Sequence, residues 1–257
     1  VYGGWGCGYC RWCITGHEQL CIEPKWVGLS EYEGGYAEYL RVPRERYLIK
    51  LEHLQPREAA PLTDAALTPY RAIKRALPHL VPDSWALVIG VGGLGQYGIK
   101  LLRLLTGVGI VAVDINDERL ELARQYGADR TYNSTRHPEL AKELLDLTRG
   151  QGFMACFDFV GTDETLALCI SLCASEGKVS QIGLAGGTAR IKPLENSRFE
   201  VLFEATLWGN IQELREVVAL AESGRLTPIA MEFYPLEQIN EVAQKLKAGQ
   251  IKGRAVI

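Results

Sequence analysis

From Trp85 onward, short apolar segments alternate with amphipathic segments, and this alternation constrains the fold more than any other feature. The apolar, strand-like segments read WALVIG, GIVAVD, TYN, MACFDFVG, GKVSQIGL and ATLWG. The helix-like segments read YGIKLLRLL, DERLELARQYGA, PELAKELLDLTRG, TDETLALCISLCA and NIQELREVVALAES. Strands joined by helices pair in parallel through right-handed crossovers. The pattern therefore predicts an α/β protein with a doubly wound parallel sheet of six strands.

A glycine-rich turn lies between the first of these strands and its helix. It comprises Gly90, Val91, Gly92, Gly93, Leu94 and Gly95, which match G-x-G-x-x-G. In this context the first glycine permits a tight turn, the second lets backbone approach a pyrophosphate, and the third permits close packing of helix and strand. The helix N-terminus adds free N–H groups. The turn predicts a dinucleotide site.

An acidic residue, Asp114, ends the second strand, nineteen residues after Gly95. A carboxylate at this position accepts hydrogen bonds from the adenosine ribose hydroxyls and repels a 2′-phosphate. We therefore expect NAD rather than NADP. Arg119 follows closely and leaves room for some NADP use.

Four cysteines cluster near the beginning of the chain, as Cys7, Cys10, Cys13 and Cys21. The two-residue gaps let one turn aim successive sulfurs at a single point. Four thiolates with no open position are typical of a structural Zn²⁺ site, with an iron–sulfur cluster as the alternative. His17 and Glu18 lie inside this loop, and we expect them to be a solvated loop pair rather than ligands.

The remaining segments surround the alternating region. Residues 34–51 suggest two short strands broken at Pro43, and Leu67, Tyr70, Ile73 and Leu77 have helical spacing. At the end of the chain we expect a strand over 227–234, a helix over 235–249 and a strand over 253–257. This tail is expected to return to the N-terminal region rather than to extend the sheet.

Composition excludes several classes of protein. The chain has 257 residues, a net charge of -3 and 47% hydrophobic residues. The charge argues against a nucleic-acid binder, and no apolar run reaches the roughly 20 residues of a membrane helix. Seven cysteines are too few for a disulfide scaffold, so we expect a reducing compartment. Two further sets are interpreted as structural: buried core thiols at Cys156, Cys169 and Cys173, and surface histidines at His53, His79 and His137.

Taken together, the four-cysteine loop, GGYAEY, APLTDAALTPYRAI, VIGVGGLG, Asp114 and the closing KGRAVI resemble the zinc-dependent medium-chain alcohol dehydrogenases. The PLTD variant is similar to bacterial NAD-dependent enzymes that act on secondary and aromatic alcohols. The resemblance implies a Rossmann domain over 64–224. It also implies part of a GroES-like β-rich catalytic domain with a structural-zinc lobe over 1–63, to which 225–257 return.

The resemblance also assigns roles to individual residues. Asp64, which spacing alone would make a helix N-terminal acid, matches the third protein ligand of a catalytic zinc, and Thr68 matches a position beside the nicotinamide. Positions that match cofactor-binding backbone or side chains are Val160, Ile182, Gly183, Leu184, Leu207, Trp208 and Arg254.

The implied activity is reversible, NAD-dependent oxidation of alcohols to aldehydes or ketones, with zinc polarising the substrate oxygen. The implied setting is a cytoplasmic homo-oligomer, a dimer or tetramer, that has a small-molecule partner and no nucleic-acid or membrane partner. A polyol or amino-alcohol dehydrogenase and a non-catalytic dinucleotide-binding relative are the alternatives. A zinc-free quinone reductase is disfavoured by the cysteine loop and Asp114.

The sequence departs from the family pattern in one respect. In the family, the other two catalytic-zinc ligands are a Cys and the His of a Gly-His-Glu motif, and both precede the structural lobe. Both are absent from this sequence. Gly16-His17-Glu18 is not that motif, because it lies inside the cysteine loop. We therefore expect the chain to be N-terminally incomplete. We predict that these 257 residues alone oxidise no alcohol; zinc-dependent turnover in an assay of the purified chain would contradict this.

Overall fold

The computed structural model describes residues 1–29, 33–193 and 195–257. It contains two compact units, one formed by Val1–Leu67 with Leu207–Ile257 and the other by Thr68–Thr206. The domain limits expected from the sequence, at residues 63/64 and 224/225, stay predictions. Among the described residues, no helix is both long and apolar enough to cross a membrane.

The regular elements follow the predicted alternation. The strands are β1 Gly4–Trp5, β2 Lys25–Trp26, β3 Trp85–Ile89, β4 Gly109–Asp114, β5 Arg130–Asn133, β6 Phe153–Asp158, β7 Cys173–Gln181, β8 Leu202–Ala205, β9 Met231–Phe233 and β10 Arg254–Val256. The α-helices are α1 Arg11–Ile14, α2 Pro56–Ala59, α3 Leu67–Ala76, α4 Gly93–Leu105, α5 Asp117–Gln125, α6 Leu140–Leu147, α7 Asp163–Leu172, α8 Ile211–Glu222 and α9 Ile239–Lys247. Short 3₁₀ turns cover Glu18–Leu20, Glu45–Tyr47, Ala60–Thr63, Leu77–His79 and Leu236–Gln238.

The second unit is built on a six-stranded parallel sheet in the order β5-β4-β3-β6-β7-β8. The strand order reverses between β3 and β6, where ligands bind in doubly wound sheets. Strands β3 and β4 are almost wholly buried, which explains why they read as continuous apolar runs rather than as alternating ones. The predicted doubly wound Rossmann sheet is confirmed.

A core of side chains from both strands and helices stabilises this sheet. Val111 and Val179 pack with Leu144 and Phe153 in a single cluster of buried residues. Each fully buried side chain of this size contributes about 1.5–3 kcal/mol. The thiols of Cys156, Cys169 and Cys173 are wholly buried in the same cluster, which confirms their structural interpretation.

The first unit has small sheets and an aromatic centre. Strands β1 and β2 pair antiparallel, and β9 pairs in parallel with β10, so the tail does not extend the six-stranded sheet. The rings of Tyr2, Trp5 and Tyr47 are buried, and those of Trp5 and Tyr47 stack with centroids 6.0 Å apart.

Two strand predictions are wrong. Over the described part of 34–51 the backbone forms a 3₁₀ turn at Glu45–Tyr47 and no strand, since Leu48 N–H donates to the Glu45 carbonyl instead of to a ladder partner. Apolar and aromatic composition favours a strand only when a neighbouring strand is available.

The last strand of the sheet is LFEA, at 202–205, rather than ATLWG. Trp208 ends any extended run because its φ is +45°, in the left-handed region that bulky residues rarely adopt. Its indole N–H donates to the Thr63 carbonyl oxygen at 2.8 Å. This tertiary hydrogen bond is invisible to a local pattern.

The carboxylate of Glu222 ties the end of α8 to the turn at 52–54. It accepts hydrogen bonds from the backbone N–H groups of Glu52, His53 and Leu54 at 2.8, 2.9 and 3.4 Å. A negative charge at a helix C-terminus is unfavourable by itself, so these donors compensate for it. Partial burial opposes the charged form, but the three hydrogen bonds outweigh it and lower the pKa of Glu222 below its usual 4.5.

Replacing this carboxylate should cost stability in a pH-dependent way. Because the folded-state pKa is lowered, the stabilisation is present above pH 4.5 and is lost as the pH falls through the folded value. We expect Glu222→Gln to lower Tm by a few degrees at pH 7, and we expect this gap to narrow as the pH is lowered below 4.5, measured by thermal unfolding. Glu237→Gln, at an exposed carboxyl of the same unit, should leave Tm unchanged over the same pH range. A gap of constant size over this range for Glu222→Gln would contradict the prediction.

Candidate functional site

Four sulfur atoms converge in the first unit, from Cys7, Cys10, Cys13 and Cys21. All four lie within 4.8 Å of one another. The Cys7 and Cys13 Sγ atoms are 3.9 Å apart, and those of Cys10 and Cys21 are 3.8 Å apart. A Zn–S bond of about 2.3 Å in a tetrahedron gives an S···S separation of about 3.8 Å, so the cage has the size of one zinc ion.

The backbone around the cysteines supports thiolate sulfurs. The N–H groups of Cys7 and Glu23 both donate to the Cys21 sulfur at 3.3 Å, and the Cys10 N–H donates to the Cys7 sulfur at 3.4 Å. Gly6 lies so close that a Cβ there would be 2.4 Å from the Cys13 sulfur. This requirement for glycine depends on a contact in the folded loop, and the cysteine spacing alone does not indicate it.

The thiols differ in acidity. The hydrogen bond from the backbone of Cys13 lowers the pKa of Cys10 to about 6, whereas burial raises the pKa of Cys13 to about 12. At neutral pH the free cage therefore holds thiols as well as thiolates. Metal binding must release protons, and its affinity falls as the pH falls.

The donor set and its dimensions fit a single tetrahedral ion. An iron–sulfur cluster places several irons and sulfides between the cysteine sulfurs and needs a wider cage. Among the residues that the structure describes, this is the one group of three or more His, Cys, Asp or Glu side chains placed to hold a metal. His17 is half-buried and is not part of this group, whereas Glu18 is buried, so the prediction that it is solvated is wrong.

The glycine-rich turn is in the second unit, between β3 and α4. Gly90 has a φ of +88°, and a Cβ on Gly95 would lie 1.9 Å from the Gly90 carbonyl oxygen. Both positions therefore require glycine. A Cβ on Gly92 would meet no atom within 4 Å, which leaves this stretch of backbone open to a ligand.

Asp114 lies beside this turn at the end of β4. Its carboxylate accepts hydrogen bonds from the N–H of Val91 at 2.7 Å and of Asn116 at 2.9 Å. The guanidinium of Arg119 is 3.9 Å from the same carboxylate. The carboxylate is thus held in one orientation by the turn, as a ribose-binding acid requires.

A cavity of about 660 Å³ opens at the carboxyl ends of β3, β4 and β6. Of the residues predicted to bind the cofactor, seven line it: Gly90, Gly92, Gly93, Leu94, Gly95, Asp114 and Val160. Val91 is wholly buried and is not part of the lining. The role of these residues in cofactor binding stays a prediction. Phe159, Thr162, Glu164, Thr165 and Ser134 line the cavity as well, and the sequence analysis did not identify them.

The other predicted cofactor positions have varied surroundings. The N–H groups of Ile182 and Gly183 donate to the Asp158 carbonyl, and the Leu184 side chain is 88% exposed. In the first unit, Leu207 is 38% exposed, and Trp208 packs against Tyr2 with ring centroids 6.0 Å apart.

Asp64 and Thr68 flank the start of α3. Asp64 follows a 3₁₀ turn, and Thr68 is buried within the helix. A carboxylate oxygen of Asp64 lies 3.4 Å from the guanidinium of Arg254, with side chains 48% and 34% exposed. Solvent at this exposure makes the ion pair weak. Arg254, which the resemblance assigns to cofactor binding, therefore contacts Asp64, the expected zinc ligand.

Comparisons with known proteins agree with this geometry. Residues 93–223 match the family described as zinc-binding dehydrogenase, and residues 1–53 match the alcohol dehydrogenase GroES-like domain. An NAD-dependent alcohol dehydrogenase of Sulfurisphaera tokodaii is 36% identical over 98% of this chain and 72% of its own length. The alcohol dehydrogenase structure of Aeropyrum pernix superposes with a TM-score of 0.92 at 35% identity, over 100% of this chain and 74% of that one. The chain belongs to the zinc-dependent medium-chain alcohol dehydrogenase family.

The family also includes proteins with other substrates. A D-arabinose 1-dehydrogenase (NADP(+)) of Saccharolobus solfataricus is 33% identical to this family member, over 100% of this chain and 73% of the relative. Family membership therefore does not by itself determine the substrate or the choice between NAD and NADP, which depend on the residues of this chain.

The histidines of this family member lie outside both sites. His53 is exposed, whereas His79 and His137 are half-buried. The His79 ring contacts the Glu176 carbonyl, and the His137 ring contacts the Glu143 carboxylate. The expected surface location is therefore met by His53 and only in part by the other two.

The chain should bind about one zinc ion per molecule through the four-cysteine cage. We expect Cys10→Ser to lose that zinc and to lower Tm, because a missing thiolate leaves three ligands and removes binding energy from the folded state. Metal content by mass spectrometry and thermal unfolding measure the two effects.

Cys169→Ala is the matched control, since it removes a buried thiol outside the cage and should keep its zinc. Zinc retained at full content by Cys10→Ser would show that the cage is not the site. Visible absorption from bound iron and sulfide would favour the cluster instead.

Proposed function

We propose that this chain binds NAD in the cavity beside the glycine-rich turn and belongs to an enzyme that oxidises alcohols to aldehydes or ketones, reversibly, by hydride transfer. The supporting observation is the buried Asp114 carboxylate, fixed by the Val91 N–H within the G-x-G-x-x-G turn. NAD, when bound, accepts the hydride. The relatives named as NAD-dependent alcohol dehydrogenases support the same reaction.

Each part of the cavity has its own task in this proposal. The open backbone at Gly92 and the free N–H groups at the start of α4 receive the pyrophosphate. Asp114 accepts the adenosine ribose hydroxyls and disfavours a 2′-phosphate. The cofactor roles of Ile182, Gly183, Leu184, Leu207, Trp208 and Arg254, and that of Thr68, rest on the family resemblance and are proposed on that ground.

Zinc enters the proposal in two different ways. The four-cysteine cage fits a structural ion that stabilises the lobe. For a catalytic ion, the described residues place no group of three His, Cys, Asp or Glu side chains around Asp64, and one carboxylate does not hold Zn²⁺. Alcohol turnover is therefore expected only where a cysteine and a histidine accompany Asp64.

A second candidate is a polyol or sugar dehydrogenase that uses NADP. Arg119, 3.9 Å from Asp114, offers a positive charge at the point where a 2′-phosphate would lie. The D-arabinose 1-dehydrogenase relative supports this alternative. Tighter binding of NADPH than of NADH by the purified chain would favour it.

We further propose a cytoplasmic homo-oligomer, a dimer or tetramer. Four thiols held for metal binding suit a reducing compartment. Strand β8 is the last in the sheet and exposes Leu202, so a second copy could pair along it. Light scattering coupled to size-exclusion chromatography measures the oligomeric state.

Replacing the ribose-binding acid should change cofactor preference. Asp114→Asn removes the charge but keeps an oxygen for the Val91 N–H. Because a hydrogen bond to a charged group contributes about 1.5–3 kcal/mol, we expect NADH affinity to fall roughly tenfold or more and the preference over NADPH to shrink. Fluorescence titration with both cofactors measures this.

Glu121→Gln, an exposed site on α5, changes the net charge equally and should leave both affinities unchanged. Failure of the unmodified chain to bind NADH would refute the proposed cofactor site. Binding with equal affinity before and after Asp114→Asn would remove Asp114 from it.

A further inference from the structure

Asp158, the last residue of β6, is an acidic side chain that the proposed chemistry does not use. It is completely buried, with an exposure of 0%. A carboxyl group in such a position is retained only with hydrogen-bond partners, because an uncompensated one would be strongly destabilising. Its partners therefore indicate what it does.

The side chain of Asp158 shapes the loop between β6 and α7. One carboxylate oxygen accepts from the N–H groups of Val160 and Gly161, both at 2.9 Å. The other accepts from the hydroxyl of Thr165 at 2.8 Å. Thr165 also belongs to the capping box with Thr162 that begins α7. One carboxylate thus fixes the loop and the first turn of the helix that follows.

The backbone of Asp158 makes a second set of contacts, to the end of β7. Its carbonyl accepts from the N–H groups of Ile182 and Gly183 at 2.8 and 2.9 Å. The two loops then touch closely, since a Cβ on Gly161 would lie 2.2 Å from the Gly183 oxygen. Asp158 therefore holds two adjacent loops in one arrangement.

One of these loops forms a wall of the proposed dinucleotide cavity. Phe159, Val160, Thr162 and Thr165 line the cavity on the β6 side, whereas Asp114 lines it on the β4 side. With the pyrophosphate at the turn after β3 and the adenosine ribose at Asp114, the second nucleoside must extend over β6.

We propose that Asp158 is a positioning residue for the nicotinamide nucleoside half of the cofactor. Asp158 holds the wall formed by Phe159–Thr165 through three hydrogen bonds and contacts no ligand itself. This proposal rests on the proposed function, since it requires that NAD occupies the cavity.

Two ligands distinguish the two sides of the cavity. NADH should contact both the β4 side, with Asp114, and the β6 side, whereas AMP should contact only the side with Asp114. We expect Asp158→Ala to weaken NADH binding at least about tenfold, while AMP affinity stays within about twofold. Asp158→Asn keeps one oxygen for the two N–H groups and an amide for Thr165, so it should weaken NADH only about threefold and leave AMP unchanged. Calorimetric titration of the purified chain measures both ligands.

Leu172→Ala is the matched control for lost core packing, because this buried side chain lies at the far end of α7 and outside the cavity lining. It should lower Tm without changing the ratio of NADH to AMP affinity. If Asp158→Ala does not fold, the NADH and AMP affinities of Asp158→Asn test the proposal instead.

A loss confined to NADH supports the proposal. Unchanged NADH affinity, or an equal loss of both ligands, overturns it. If the unmodified chain binds neither NADH nor AMP, the proposed function has failed, and that outcome is distinct from a variant effect.

Discussion

The close approach of Gly95 to the carbonyl of Gly90 is the contact on which the second unit depends. With 1.9 Å between that oxygen and the position of a Cβ, any other residue at 95 would force helix α4 away from strand β3. The helix N-terminus would then no longer face the carboxyl edge of the sheet. Because β3 is central in the strand order, a shift there would also disturb its pairing with β4 and β6. A steric requirement at one glycine therefore underlies both the packing and the cavity.

The two units are stabilised in different ways. The second buries a continuous apolar core in which even three thiols are wholly enclosed. Apart from helices α8 and α9, the first contains short elements, small two-stranded sheets and a few large aromatic rings, so it gains less from burial. A metal cage offsets that deficit, since ligand binding to the folded state contributes directly to its free energy. The cysteine loop thus has a structural purpose that is separate from hydride transfer.

The success of sequence-based prediction depended on whether the determining contacts were local. The β3 turn, Asp114 and the cysteine spacing are local patterns, and the structure places them as expected. Residues 34–51 were misassigned because aromatic composition does not show whether a partner strand exists. Trp208 was wrongly placed in a strand. Its backbone is left-handed and its indole N–H donates to the Thr63 carbonyl, a contact distant in sequence that a local pattern does not reveal. Asp158 was missed, although an acidic residue that closes a buried apolar run was a usable signal.

Asp114 and Asp158 are two aspartates at the same edge of the sheet, and we assign them different roles. Each ends a parallel strand, and each accepts hydrogen bonds from backbone N–H groups of a loop beside the cavity. Those loops have few ladder partners, and buried N–H groups without acceptors would be costly. Asp114 lines the cavity and also lies near Arg119, so its charge is available to discriminate between ligands. The Asp158 carboxylate is completely enclosed and accepts hydrogen bonds from Val160, Gly161 and Thr165. In our proposal its effect on a ligand is therefore transmitted through the shape of the wall. In the proposed site, one carboxylate therefore selects between cofactors and the other fixes the shape of the cavity wall.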